Sequence, residues 1–230
     1  MKSKFRLSML CIVGALGAAG CSRNYAKLTP APSASLVSGP GGGAGTIVEG
    51  VRVIARSEAW HWDPTNLHSK VTPILIELQN LGSRNVALRY QRITLVDASD
   101  GTVFHAMPPY DINASVKQKV TMVYPYSGYA VAPYLSGYYP SLAGYRGAWA
   151  YDAGYYSPYY TSYVKVELPT MDMIQRALPE GVLSPDGTAN GFVYFESLNR
   201  HAGQMNLRIE MVDADSNCPL GTAVIPFMTR

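Results

Sequence analysis

The chain has 230 residues and a mass of 25.0 kDa, enough for one ordinary domain with appendages or for two small ones. Only 15% of the residues are charged, against 47% hydrophobic, and the formal net charge is +3. This argues against a nucleic-acid binder, and three cysteines are too few for a disulfide-stapled miniprotein.

The first twenty residues have the layout of an export signal. Lys2, Lys4 and Arg6 form a basic start, and Leu7 to Leu16 form an apolar run too short to span a bilayer as a helix. Gly17, Ala18, Ala19 and Gly20 then lead into Cys21. This stretch resembles the bacterial lipobox, in which small residues precede a lipidated cysteine. The resemblance implies cleavage after residue 20 and a lipid on Cys21, whose acyl chains hold the protein on the membrane. By the same resemblance, Ser22 favours the outer membrane of a Gram-negative envelope. Residues 1–20 carry three of the 19 basic residues and no acidic one, so the processed chain has 16 of each and a formal charge of zero. That leaves no bulk basic surface for nucleic acid. Cys11 departs with the signal, so Cys218 has no intramolecular partner and is expected to be a small buried hydrophobe or a thiol that pairs between molecules.

Residues 21–46 read as a lipidated cysteine and a flexible tether. Pro30, Pro32, four serines and the run Gly39-Pro40-Gly41-Gly42-Gly43-Ala44-Gly45 supply little to bury. The run fits a dinucleotide fingerprint in letters only, because no strand precedes it and no amphipathic helix follows. From 47 to 230 the chain reads as one folded domain. Val51, Val53 and Ala55 alternate with Arg52, Ile54 and Arg56, and Ile74, Ile76 and Leu78 alternate with Leu75, Glu77 and Gln79. Val86, Leu88 and Tyr90 share a face, whereas Ile93 and Leu95 have the opposite parity. That change predicts two strands or a bulge near Gln91-Arg92. Further alternation occurs at Val120–Met122, Val164–Leu168 and Leu207–Met211, with apolar runs at Phe192–Phe195 and Val224–Phe227. These are half-buried antiparallel strands. Turn chemistry separates them at 80–85, 97–101 and 184–187. One helix is predicted after Pro169, capped by Thr170, with Met171, Ile174 and Leu178 on one face and Pro179 stopping it. Seven to nine strands and one short helix predict an all-β fold, an immunoglobulin-like antiparallel β-sandwich.

A Tyr/Gly/Pro-rich insertion at about 124–162, expected between two strands of the sandwich, interrupts this pattern. Residues 124–163 hold 13 of the 17 tyrosines, five glycines and four prolines, and only Arg146 and Asp152 are charged. The prolines rule out a central strand. Without the insertion about 145 residues remain, a core burying roughly two thirds of its unfolded surface. Two readings stay open. One is a low-complexity loop, tolerated because closure entropy grows slowly with length. The other is a binding surface, since tyrosine offers large contact area at small entropic cost and a hydroxyl for glycan or peptide. The candidate binding residues are Tyr138, Tyr139, Tyr145, Trp149, Tyr151, Tyr155, Tyr156, Tyr159 and Tyr160.

Catalytic motifs are missing: there is no Gly-x-Ser-x-Gly, His-Glu-x-x-His, Cys-x-x-Cys or Walker loop. His61 lies between Trp60 and Trp62 and seven residues before His68 in a loop, where a metal pair is conceivable but the spacing is not diagnostic and a third ligand is wanted; His105 and His201 are the other two histidines. Asp213, Asp215 and Asn217 carry the alternating oxygens that calcium favours, but the glycine and distal glutamate of an EF-hand are missing, so they are weak metal candidates and read first as a polar hairpin turn. No cofactor is indicated.

Pro73–Asn80 followed by Gly82 resembles the opening strand and Asn-x-Gly turn of small bacterial immunoglobulin-like lipoprotein domains of unknown function. Ile93–Asp97 running into Asp100-Gly101, and Pro185-Asp186-Gly187 before Gly191–Glu196, extend the likeness over roughly 47–123 and 163–228. The resemblance implies a fold and transfers no catalytic residue. The expected function is that of a non-catalytic, membrane-anchored envelope lipoprotein presenting the Tyr-rich loop to an envelope protein or to peptidoglycan or another glycan. The alternatives are a structural or assembly lipoprotein acting through the sandwich with an inert loop, and a hydrolase or metal-dependent enzyme without a recognisable motif.

Overall fold

A computed structural model describes residues 26–39, 42–121, 161–198 and 203–229. Two antiparallel sheets face each other. One has the order β12 (Thr188–Glu196), β5 (Val71–Asn80), β4 (Val51–Arg56), β3 (Gly43–Val48), β2 (Leu36–Val37). The other runs β1 (Leu28–Pro30), β14 (Pro219–Thr229), β13 (Gln204–Asp213). On its far side β13 pairs with both β7 (Ile93–Asp97) and β6 (Val86–Leu88). These are extended by β8 (Val103–His105) and β11 (Gly181–Leu183) respectively. The parity change at residue 91 is therefore a break between two strands, bridged by a 3-10 turn at Tyr90–Arg92.

Alternation aims one face of each strand at the interior. Val53 lies opposite Leu78 and Ala55 opposite Ile76, while Leu207 lies opposite Ile225 and Met205 opposite Phe227. These side chains, with Val51, Ile74, Val193, Phe195 and Ile209, form the main core between the sheets. A one-residue slip of any of these strands would turn its apolar face to water, so burial specifies the register.

A second core lies on the outer face of the first sheet. The Phe192–Phe195 run is buried on both faces: Val193 and Phe195 point into the main core, whereas Phe192 and Tyr194 point outward. Trp60, Leu67, Ile112, Val116, Leu168 and Met173 cover that outer side. They come from the 57–70 loop, from Ile112 just after the 3-10 turn Pro109–Asp111, from β9 (Ala114–Thr121) and β10 (Thr161–Leu168), and from a short helix, α1 (Met171–Gln175). β9 and β10 form a separate two-stranded ribbon.

Three expectations need correction. Folding begins well before residue 47. Leu28–Pro30 pairs with Phe227–Thr229, Leu36-Val37 pairs with Gly43-Ala44, and Leu28, Ala31 and Ala44 are buried. A polar, Gly-rich segment can still satisfy a sheet edge, because edge pairing uses backbone groups that composition does not reveal. The glycines serve the fold: a Cβ on Gly39 or Gly43 would sit 2.8 or 2.9 Å from Nη1 of Arg56, whose buried guanidinium fills that space. α1 is also shorter than its pattern predicts. Thr170 caps it, but Met173 is the buried residue and Met171 is exposed. Beyond Gln175 the chain leaves the helix to pair with β12, where Phe192 N donates to Arg176 O and Leu178 N to Phe192 O, which seats Leu178 in the main core. Finally, the insertion does not sit between two strands of the main sheets. Thr121 and Thr161 are cross-strand partners at one end of the ribbon, so 122–160 leaves and returns at a single point.

The sandwich has two distinct ends. At one end lie Lys27, the 57–70 loop, the 97–101 turn and Thr229, joined by Ser57 Oγ donating to Leu28 O at 2.6 Å and Ala98 N to Gln204 O at 2.8 Å. At the other end lie the Glu49-Gly50 turn, 81–85, 184–187 and 214–218, joined by Leu81 N to Gly50 O and Ala214 N to Asn85 O.

Candidate functional site

The 57–70 loop gathers aromatic, basic and acidic side chains at one end of the sandwich. Trp60 is buried, donates from Nε1 to Pro64 O at 3.1 Å, and sets its ring edge-to-face with Phe192 at 5.1 Å. Trp62 packs against both rings at 5.6 Å, while His61 stacks on it at 3.7 Å and the Arg176 guanidinium carbon lies 3.9 Å from its ring centroid. The tryptophans thus root the loop in the second core, and a cation over an indole face adds attraction there.

Beside Trp60 opens a cleft of about 280 Å³, lined also by Lys27, Ser57, Glu58, Thr65, His68 and Thr72. Lys27 and Glu58 approach to 3.8 Å and are both substantially exposed. Burial pushes the His68 imidazole below its ordinary pKa, Lys27 pushes it further, and Glu58 opposes them. The imidazole is consequently neutral at pH 7, with one donor and one acceptor nitrogen. Ser57 is engaged with a backbone carbonyl, so the cleft offers hydrogen-bonding groups rather than a base-activated hydroxyl. No protein-family model matches this chain, and no curated protein shows significant similarity to it.

The loop also fixes the ribbon. Asn66 Nδ2 donates to Lys117 O at 2.8 Å, Gln118 Nε2 to Asp63 Oδ1 at 3.0 Å, and Thr170 Oγ1 to Asp63 O at 3.0 Å. Four residues beyond Lys117, the ribbon ends at the Thr121–Thr161 pair. The insertion is therefore rooted on a braced element rather than on an isolated hairpin, which would be marginal in water.

The candidate binding residues Tyr138, Tyr139, Tyr145, Trp149, Tyr151, Tyr155, Tyr156, Tyr159 and Tyr160 lie outside the described residues, as do the lipidation candidate Cys21 and His201. Asp213, Asp215 and Asn217 form the β13–β14 turn. Asp213 Oδ1 accepts from Asp215 N at 3.0 Å and Ser216 N at 2.9 Å, and Asp215 Oδ2 accepts from Asn85 Nδ2. The Ser216 amide first, then its hydroxyl, the Asp215 amide and Arg84, hold the Asp213 carboxyl below its usual pKa against the opposing effect of burial. The geometry is that of an Asx turn, with Asn217 at φ 57°. Among the described residues no three His, Cys, Asp or Glu side chains group as metal ligands. His61 is exposed, and His105 lies on β8 opposite Thr94. Cys218 is exposed in the same turn as Asp213, which removes the buried-hydrophobe alternative. No helix among the described residues is long and apolar enough to cross a membrane.

Lys27, Ser57 and Glu58 escaped sequence reasoning. Lys27 belongs to the Gly/Pro/Ser-rich segment read as tether, and only its seating beside β14 carries it to Glu58 and His68.

Proposed function

We propose that this is a non-catalytic envelope lipoprotein, held in the outer membrane through lipid on Cys21, whose immunoglobulin-like sandwich presents the Tyr-rich insertion to a protein or glycan partner. The observation that carries the reading is the pairing of Thr121 with Thr161 on a ribbon braced by Asn66 and Asp63. A stretch with 12 tyrosines and two charges, hung at one point from a buttressed ribbon, matches the design of binding loops on rigid scaffolds.

The test exploits that pairing. Replacing 122–160 by an Asn-Gly turn closes the ribbon as a tight hairpin and spares the fold. Photo-crosslinking from Tyr145 or Tyr151 in intact cells, followed by mass spectrometry, should capture a discrete protein or sacculus-linked adduct, and that captured partner should no longer co-purify with the closed-ribbon variant. Background-level capture would overturn the reading.

One observation favours the second reading, an assembly role for the sandwich itself. β2 pairs only with Gly43 and Ala44, so Thr46–Val48 of β3 has no strand partner among the described residues on that side, and Ile47 is exposed. An open edge can accept a partner strand.

A further inference from the structure

The composition of 21–46 suggests a long tether, and the fold shortens it. Leu28 is already paired with Thr229 and buried, so seven Cα steps separate it from Cys21. At full extension they span about 25 Å, and as a flexible coil about 15 Å on average. Leu28 enters at the end that carries the 57–70 loop. β5 runs the length of the sandwich in ten residues, which sets the opposite end about 30 Å away. Resting the domain on the 81–85 and 214–218 turns would lift Leu28 beyond the reach of a lipid on Cys21.

We propose that the domain stands on the membrane by the end at which Leu28 enters, with Lys27, His61, Trp62 and Lys70 apposed to the lipid headgroups and the 81–85 and 214–218 turns directed away. This inference rests on lipidation of Cys21. This end is mixed in charge, with Glu58, Asp63 and Asp100 exposed beside its basic groups, so the orientation rests on the reach of the segment between Cys21 and Leu28. His61, Lys70 and Lys27 are exposed, and Trp62 is a half-buried indole. Lysine ammonium groups attract headgroup phosphates, and indoles favour the boundary between acyl chains and water. The cleft beside Lys27 and Ser57 then cannot meet a partner that approaches along the membrane normal. The far-end turns remain open to such a partner.

The test uses the full lipidated chain in phosphatidylethanolamine–phosphatidylglycerol vesicles containing a headgroup-nitroxide lipid. Cys218 is exposed in a far-end turn and provides the distal fluorophore site. Lys70→Cys in a Cys218→Ser background provides the proximal one. With protein that floats with the vesicles, the label at 70 should be quenched at least threefold more than the label at 218. Equal quenching, or quenching of neither label, in floating protein would overturn the orientation while leaving the anchor intact. Failure to float, with Cys21→Ser behaving identically, would remove the anchor and the orientation together.

Discussion

Two buried tyrosines make the stability of this fold fall with alkaline pH, and Tyr90 gives the cleanest case. Tyr90 is 6% exposed, and its hydroxyl donates to Leu178 O at 2.9 Å. Its own amide donates to Glu180 Oε1 at 2.6 Å, which holds that carboxylate close by. Burial first, and Glu180 second, push its pKa from 10.0 up to about 12. Between those values the folded state retains a proton that the unfolded chain releases. Stability from this group is therefore complete below pH 10 and is lost as pH rises towards 12. One pH unit is worth about 1.4 kcal/mol, so Tyr90 should account for a loss of about 1.3 kcal/mol between pH 9 and 11. Tyr194, buried and donating to Met173 O at 3.0 Å, shifts in the same direction and adds its own decline. Tyr90→Phe should cost about 1–3 kcal/mol at pH 8, because the Leu178 carbonyl loses its side-chain donor inside the core. Its stability should then fall less steeply with pH than that of the parent. Urea unfolding at half-unit intervals from pH 8 to 11 measures both effects. Parallel curves for the parent and Tyr90→Phe would refute the argument.

Other expectations concern the same packing. Phe192→Ala removes a ring that packs edge-to-face on both Trp60 and Trp62, and should cost about 3–5 kcal/mol in urea unfolding, with a red shift of tryptophan emission. Gly191→Ala would place a Cβ 2.4 Å from the Leu178 nitrogen, a backbone atom held by its bond to Phe192 O. The clash should cost about 3 kcal/mol or more, read from the urea midpoint. A chain beginning at Pro32 should melt roughly 5 °C below one beginning at Ala26, since it loses β1 and about 2 kcal/mol of Leu28 burial; equal melting temperatures would restore the tether reading. Calcium and a chelator should give the same melting temperature, because the turn amides already occupy Asp213 Oδ1.

The β-sandwich was legible because alternation is a local property. Val51–Val53–Ala55, Ile74–Ile76–Leu78 and Leu207–Ile209–Met211 each state which face is buried, and the structure seats all three sets in the main core. The turns at 80–85, 97–101 and 184–187 were equally plain, since glycine, asparagine and aspartate report backbone conformation directly. Length, low charge and the tyrosine bias of 124–163 also needed no coordinates. What stayed hidden depends on partners distant in sequence. Leu28–Pro30 becomes a strand only because the last residues of β14 offer it an edge, 199 residues away. Met173, not Met171, is the buried helix residue because the second core of Trp60, Leu67, Phe192 and Tyr194 receives it, and pairing with β12 ends the helix after a single turn. Lys27, Glu58 and His68 share a cleft only because that early strand folds back beside the loop. Alternation and turn residues are read along the chain. Edge pairing and clefts arise where segments meet, from backbone groups that every residue carries, and the tertiary structure alone decides which of them meet.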